Sequence, residues 1–105
     1  MKLQPSKMLL IYVDETDRHG DIPLYEAVVR KLSHLDVKGA TVQAGIMSFG
    51  RHHRIHHKRL LGVSDDRPIM ITVVDSEAKI VAVLPEIRPL VKEGLIVLVD
   101  VEMVE

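Results

Sequence analysis

Arg51-His52-His53-Arg54-Ile55-His56-His57-Lys58-Arg59 concentrates four of the chain's six histidines and four of its fourteen Lys/Arg residues in one short stretch. With the histidines neutral the stretch carries four positive charges, while the whole chain is −1. Arg51, Arg54 and Arg59 offer planar guanidinium forks that can pair with two oxygens of an oxyanion at once, and Lys58 adds a point charge. A phosphate, a nucleotide or a small carboxylate is the first ligand class such a stretch suits. Divalent metal is the second. His52/His56 and His53/His57 stand at i,i+4, so on a helix each pair would share a face, a spacing suited to Zn²⁺, Ni²⁺ or Cu²⁺. The four cations oppose a dication, and the nearest downstream carboxylates, Asp65 and Asp66, fall outside the stretch. Histidine titrates near pH ~6.5, so acid would add charge, although mutual repulsion pushes that protonation lower.

Other constellations carry less. Asp14, Glu15, Asp17 and Asp21, with His19, could imitate an acid/base pair, but a solvated turn with helix-capping duties explains them more simply. Ser48 near His52 is a pairing that any histidine-rich segment produces. GxSxG, Walker A and HExxH motifs are absent. Without cysteine there is no disulfide, thiolate nucleophile or cysteine-based zinc site. Nucleic-acid recognition is disfavoured: the pI is about 6.6, and Phe49 is the only aromatic near the basic stretch.

The elements that must position this chemistry follow from apolar patterning. Met8–Val13 is a continuous apolar run and reads as a central strand. A polar turn from Asp14 to Asp21 precedes a helix, with Asp21 as its cap and Pro23 in its first turn. Leu24, Ala27, Val28, Leu32 and Leu35 recur at helical spacing, and Gly39 marks the exit. Ala40–Met47 reads as a second strand, with Gly45 a bulge or a point of close backbone approach. Residues 68–74 form a third strand. Ser76 caps a second helix with an apolar face of Ile80, Val83, Leu84, Ile87, Leu90 and Val91, kinked or broken at Pro85. Leu95–Val104 is the last strand, with Val97, Val99, Val101 and Met103 on one face and Asp100 and Glu102 on the other.

The order is β-α-β-β-α-β in 105 residues, one domain. Two β-α-β halves make an α+β, ferredoxin-like sandwich, a four-stranded antiparallel sheet with both helices on one face. The other face is largely apolar, which predicts burial against copies of the same chain. The hairpin joining the second and third strands spans about 48–67, roughly twenty residues against the ~2–5 of an ordinary hairpin, and the basic stretch sits at its centre. No segment approaches the ~20 apolar residues of a membrane span, and no signal peptide is evident, so a soluble, cytoplasmic protein is expected.

Several marks along the chain together resemble the PII-like superfamily, and most closely the branch known as domain of unknown function 190. They include Tyr12-Val13-Asp14-Glu15, Pro23-Leu24-Tyr25, the G-A-T-V…G-I-M-x-F-G stretch from Gly39 to Gly50, and Arg54-x-His56. Pro68-Ile69-Met70-Ile71, Val74-Asp75, Glu93-Gly94-Leu95-Ile96 and Asp100-Val101 complete the set. The resemblance implies a trimer whose long loop contacts partner proteins, among them membrane transport proteins, with nucleotides held in clefts between subunits. It places Gly39, Thr41, Phe49, Gly50 and Arg51 at the loop base lining such a cleft. Arg51, Arg54, His56 and Arg59 would contact ligand, and Glu15 would meet the arginine-rich loop. Two departures bear on the ligand. Ser48 stands where the pattern has glycine. Lys92-Glu93-Gly94 runs straight into Leu95 where a second, Gly/Lys-rich phosphate loop is expected, which favours a small anion or a differently held nucleotide over ATP. The implied function is non-enzymatic sensing of that ligand and signalling to a partner. The alternatives are divalent-metal binding through His52, His53, His56 and His57, and a purely structural oligomer.

Overall fold

The computed structural model describes residues 1–49, 55–56 and 67–105. In chain order the elements are β1 (Leu3–Asp14), β2 (Arg18–His19), β3 (Ile22–Pro23), α1 (Leu24–His34), β4 (Thr41–Ala44), β5 (Ser48–Phe49), β6 (Ile55–His56), β7 (Pro68–Asp75), α2 (Glu77–Ile87) and β8 (Leu95–Val104). The main sheet has the order β4-β7-β1-β8, and every neighbouring pair is antiparallel. Two β-α-β halves interleaved in that order are the ferredoxin-like arrangement.

Strict alternation in β1 and β7 divides their side chains between two faces. Leu9, Ile11 and Val13 of β1 and Ile69, Ile71 and Val73 of β7 point to the helices and are buried. They meet Leu24, Val28 and Leu32 of α1 and Ile80, Val83 and Ile87 of α2, with Val91 closing the cluster. Burying each such side chain contributes ~1.5–3 kcal/mol, so this layer dominates folding.

Cross-strand register defines the opposite face row by row. Leu95, Tyr12, Met70 and Gln43 form the row nearest the basic connection; Val97, Leu10, Thr72 and Thr41 form the next; Val99, Met8 and Val74 follow. Val101 and Met103 continue it on β8, opposite Ser6 and Gln4, as the strand's alternation predicts. Leu95 is 58% exposed and Tyr12 37%. The described helices pack on the other face, and Met8, Leu10, Met70, Val97 and Val99 are half-buried on this one.

Several local expectations are corrected. β1 begins at Leu3 rather than Met8, because the long β8 supplies partners through Val104; the polar Gln4–Lys7 segment gives no apolar pattern. Asp21 is not the cap of α1. Pro23 occupies that position with no side-chain bond, and Asp21 lies in the turn between β2 and β3, where Gly20 takes φ 61°. The left-handed residue after α1 is Asp36 (φ 60°), not Gly39, a conformation that Asp tolerates better than most residues. The second strand stops at Ala44 instead of Met47. There the Gly45 N–H donates to the Pro68 carbonyl at 2.7 Å, and a Cβ on residue 45 would stand 2.7 Å from Pro68 Cγ. Gly45 is thus the close approach expected of it, and β7 offers no partner beyond Pro68. Ser76 caps α2 as expected, accepting from the Lys79 N–H at 3.2 Å. α2 runs through Pro85 as one helix but ends at Ile87, short of Leu90 and Val91.

Candidate functional site

Ends of three sheet strands and the root of the basic connection converge at one edge of the fold. β1 leaves the sheet at Asp14, β7 enters it at Pro68, and β8 enters at Leu95. Gly94 permits that last entry. A Cβ there would lie 2.5 Å from both the Tyr12 carbonyl oxygen and Val91 Cγ1. Between β4 and β7 the connection carries a strand pair of its own, β5 with β6, placing Ser48 opposite His56 and Phe49 opposite Ile55. The sequence showed no period there because each strand is two residues long.

The turn after β1 is held by local hydrogen bonds. Asp17 Oδ2 accepts from the Asp14 N–H at 2.9 Å. Asp14 Oδ1 accepts from the Thr16 N–H and hydroxyl, both at 3.0 Å. The Asp17 carbonyl accepts the Leu24 N–H at 2.7 Å, tying the turn to α1. Side chains that bond nearby backbone in this way are turn formers.

Glu15 is the member of this acidic group that reaches out of it. Its Oε2 accepts from Nε of Arg67 at 3.0 Å and also from Nη2 of the same guanidinium. The backbones are joined as well, the Glu15 N–H donating to the Arg67 carbonyl at 2.8 Å. This extends the β1–β7 pairing one step beyond the sheet, at the point where the connection returns. Hydrogen bonding to Arg67 outweighs partial desolvation and holds the Glu15 carboxyl below the ordinary carboxylate range. Sequence reasoning singled out Glu15 but passed over Arg67. A cation one residue before a strand-opening proline was the available signal.

The remaining candidate residues are distributed as follows. Thr41 opens β4, exposed and opposite Thr72. Gly39 lies just before it, with nothing among the described residues within 4 Å of a would-be Cβ, so neither crowding by them nor a positive φ requires glycine there. Phe49 and His56 lie on β5 and β6. Gly50, Arg51, Arg54 and Arg59, and the proposed metal ligands His52, His53 and His57, lie outside the described residues. Among the described residues no group of three or more His, Asp or Glu side chains is arranged to hold a metal. Among them, too, no helix is long and apolar enough to cross a membrane.

Comparison with known proteins places this architecture. A family model described as Uncharacterized ACR, the DUF190 model, matches residues 6–103. The chain belongs to the DUF190 family. This DUF190 protein is 29% identical over 104 residues to a UPF0166 protein of Aquifex aeolicus, covering 99% of this chain and 98% of that one. It is 31% identical over 96 residues to a UPF0166 protein of Methanocaldococcus jannaschii, covering 90% of this chain and 88% of the relative. Among solved structures it is similar to CPII, a nitrogen regulatory PII-like protein from Thiomonas intermedia K12, bound to ADP, AMP and bicarbonate. The TM-score is 0.74 at 24% identity, over 97% of this chain and 91% of CPII. CPII has also been solved bound to ADP, AMP and acetate. A putative PII-like signalling protein from Thermus thermophilus aligns with TM-score 0.64 at 18% identity, over 99% and 94% of the two chains. The PII-like fold expected from the sequence is therefore the fold of this DUF190 chain.

Proposed function

We propose that this DUF190 protein is a PII-like regulator without enzymatic activity. It binds a small anion or an adenine nucleotide at the base of its basic connection and signals occupancy to a partner protein. The observation that carries this reading is fold likeness along nearly the whole chain to a PII-like protein solved with ADP, AMP and bicarbonate. The cationic stretch on the connection between β4 and β7 supports it. In this reading the apolar sheet face is buried in a homotrimer, and Gly39, Thr41, Phe49 and Gly50 shape an intersubunit cleft. Arg51, Arg54, His56 and Arg59 supply cationic contacts, and a ligand-dependent change in the connection is read by a partner such as a membrane transport protein.

Light scattering combined with calorimetric titration tests the reading. The expected result is a trimeric mass and measurable binding of ADP, AMP or bicarbonate, with a raised melting temperature because ligand binds the native state. Stabilisation by Zn²⁺, Ni²⁺ or Cu²⁺ alone, abolished in His56→Ala/His57→Ala, would overturn it in favour of metal binding.

A further inference from the structure

The Glu15–Arg67 contact uses only part of the guanidinium's donors. A guanidinium presents one pair of parallel N–H groups along its Nε–Nη2 side and another at its Nη1–Nη2 end. Here Nε and Nη2 both converge on the single oxygen Oε2 of Glu15. The contact therefore occupies the side of the group. Nη1 has no hydrogen-bond partner among the described residues. The Glu15 side chain is 29% exposed and that of Arg67 52%, so small solutes can reach the pair. The hydrogen bond between the two backbones fixes where both side chains start. Arg67 is consequently a guanidinium held by its side, with its end fork directed elsewhere.

No other described ion pair has this form. Lys7 contacts Asp100 and Glu77 near the opposite end of β1, but an ammonium is a point charge without a planar fork. Arg30 with Glu26 is an i,i+4 pair along the surface of α1.

We infer that Arg67 is a receptor for a planar oxyanion of the carboxylate or bicarbonate class, bound on the Nη1–Nη2 end of a guanidinium that Glu15 orients. The inference deepens the proposed function and rests on it, naming a residue and a ligand class for the anion part of that reading. Two parallel N–H groups match the two oxygens of a planar oxyanion, a geometry that lysine cannot reproduce. Glu15 lowers the net charge of the site but removes the entropy cost of positioning the guanidinium. Because Glu15 already offsets the guanidinium charge, binding rests on the match of a two-oxygen edge to the fork, and monoanions such as bicarbonate and acetate are favoured over a dianion such as sulfate.

The test is calorimetric titration of the full-length protein with bicarbonate, acetate, sulfate and ADP, in the wild type and in Arg67→Lys, Arg67→Gln and Glu15→Gln. Melting curves confirm that each variant is folded. Arg67→Lys is expected to weaken bicarbonate and acetate binding by about tenfold or more, the cost of one charge-assisted hydrogen bond, despite keeping the charge. ADP affinity should change far less. Glu15→Gln is expected to weaken bicarbonate binding several-fold. Unchanged bicarbonate affinity in both Arg67 variants overturns the inference while leaving the regulatory reading intact, as does wild-type binding of ADP without either planar anion. Equal or tighter bicarbonate binding in Glu15→Gln overturns the orienting role and makes Glu15 a competitor. A wild type that binds none of the four ligands overturns the inference and the proposed function together.

Discussion

The two faces of the main sheet are built from alternate residues of the same strands, yet only one of them is finished. On the helix side Leu9, Ile11, Ile71 and Val73 are essentially inaccessible, closed over by α1 and α2. On the other side Met8, Leu10, Met70 and Leu95 are comparably apolar but remain partly or fully exposed. Burial is thus not a property of residue type. It depends on whether a second layer is laid over that face, and the two helices among the described residues cover one. The uncovered face differs again across its width. Leu95, Val97 and Val99 make its β8 side aliphatic, whereas Thr41, Gln43 and Thr72 make its β4 side polar. Under the trimer proposal the aliphatic half suits packing between subunits, and the polar half suits the wall of a ligand cleft.

Breaking one face at a time is the most direct probe of this contrast. Ile71→Ala on the helix side is expected to destabilise the isolated fold by ~2–5 kcal/mol, as large-to-small changes at fully buried sites do. Its neighbour Met70→Ala, on the open side, should lower the denaturation midpoint much less while shifting the mass seen by light scattering towards the monomer. Equal losses of stability without any change in mass would dissolve the distinction between the faces. A smaller effect is expected where the chain leaves α2 for β8. Gly94→Ala places a methyl 2.5 Å from the Tyr12 carbonyl oxygen, and overpacking of this kind costs ~1–3 kcal/mol. Urea denaturation measures it.

The smallest expected effect belongs to the Glu15–Arg67 pair, which lies outside both faces and is screened by solvent. Because folding lowers the Glu15 pKa, the pair contributes stability at pH values above the usual carboxylate value of 4.5. That contribution is lost as pH falls through the lower folded-state value. The stability difference between wild type and Glu15→Gln should accordingly be present at neutral pH and vanish in acid. A difference that grows in acid would mean that the pair does not form as described.

Much of the fold was legible in the sequence because its signals are local or periodic. β8 was readable to the residue, Leu95–Val104, since an apolar run from Leu95 to Val99 passes into alternation of Val101 and Met103 with Asp100 and Glu102. The Ser76 cap was readable because Ser followed by an apolar helical run is a local pattern. What misled was non-local. Asp21 has the chemistry of a cap, but the β2–β3 pairing drew it into a turn. Ala40–Met47 is strand-like throughout, but β7 begins at Pro68, and pairing with it ends at the Gly45 N–H on the Pro68 carbonyl among the described residues. Of the candidate site, Glu15 was legible by family resemblance and Arg67 was not, because their contact joins positions 52 apart in the chain.

Composition and periodicity by themselves determined an α+β fold with a ferredoxin-like order of elements, an apolar sheet face and a concentrated cationic stretch. Each of those features depends on residue type and near-neighbour spacing. Only the tertiary structure decided which alternate residues the helices cover, where β4 stops, and that Glu15 meets Arg67 at the root of the connection. Those outcomes depend on strand register, and register is set when distant segments pair.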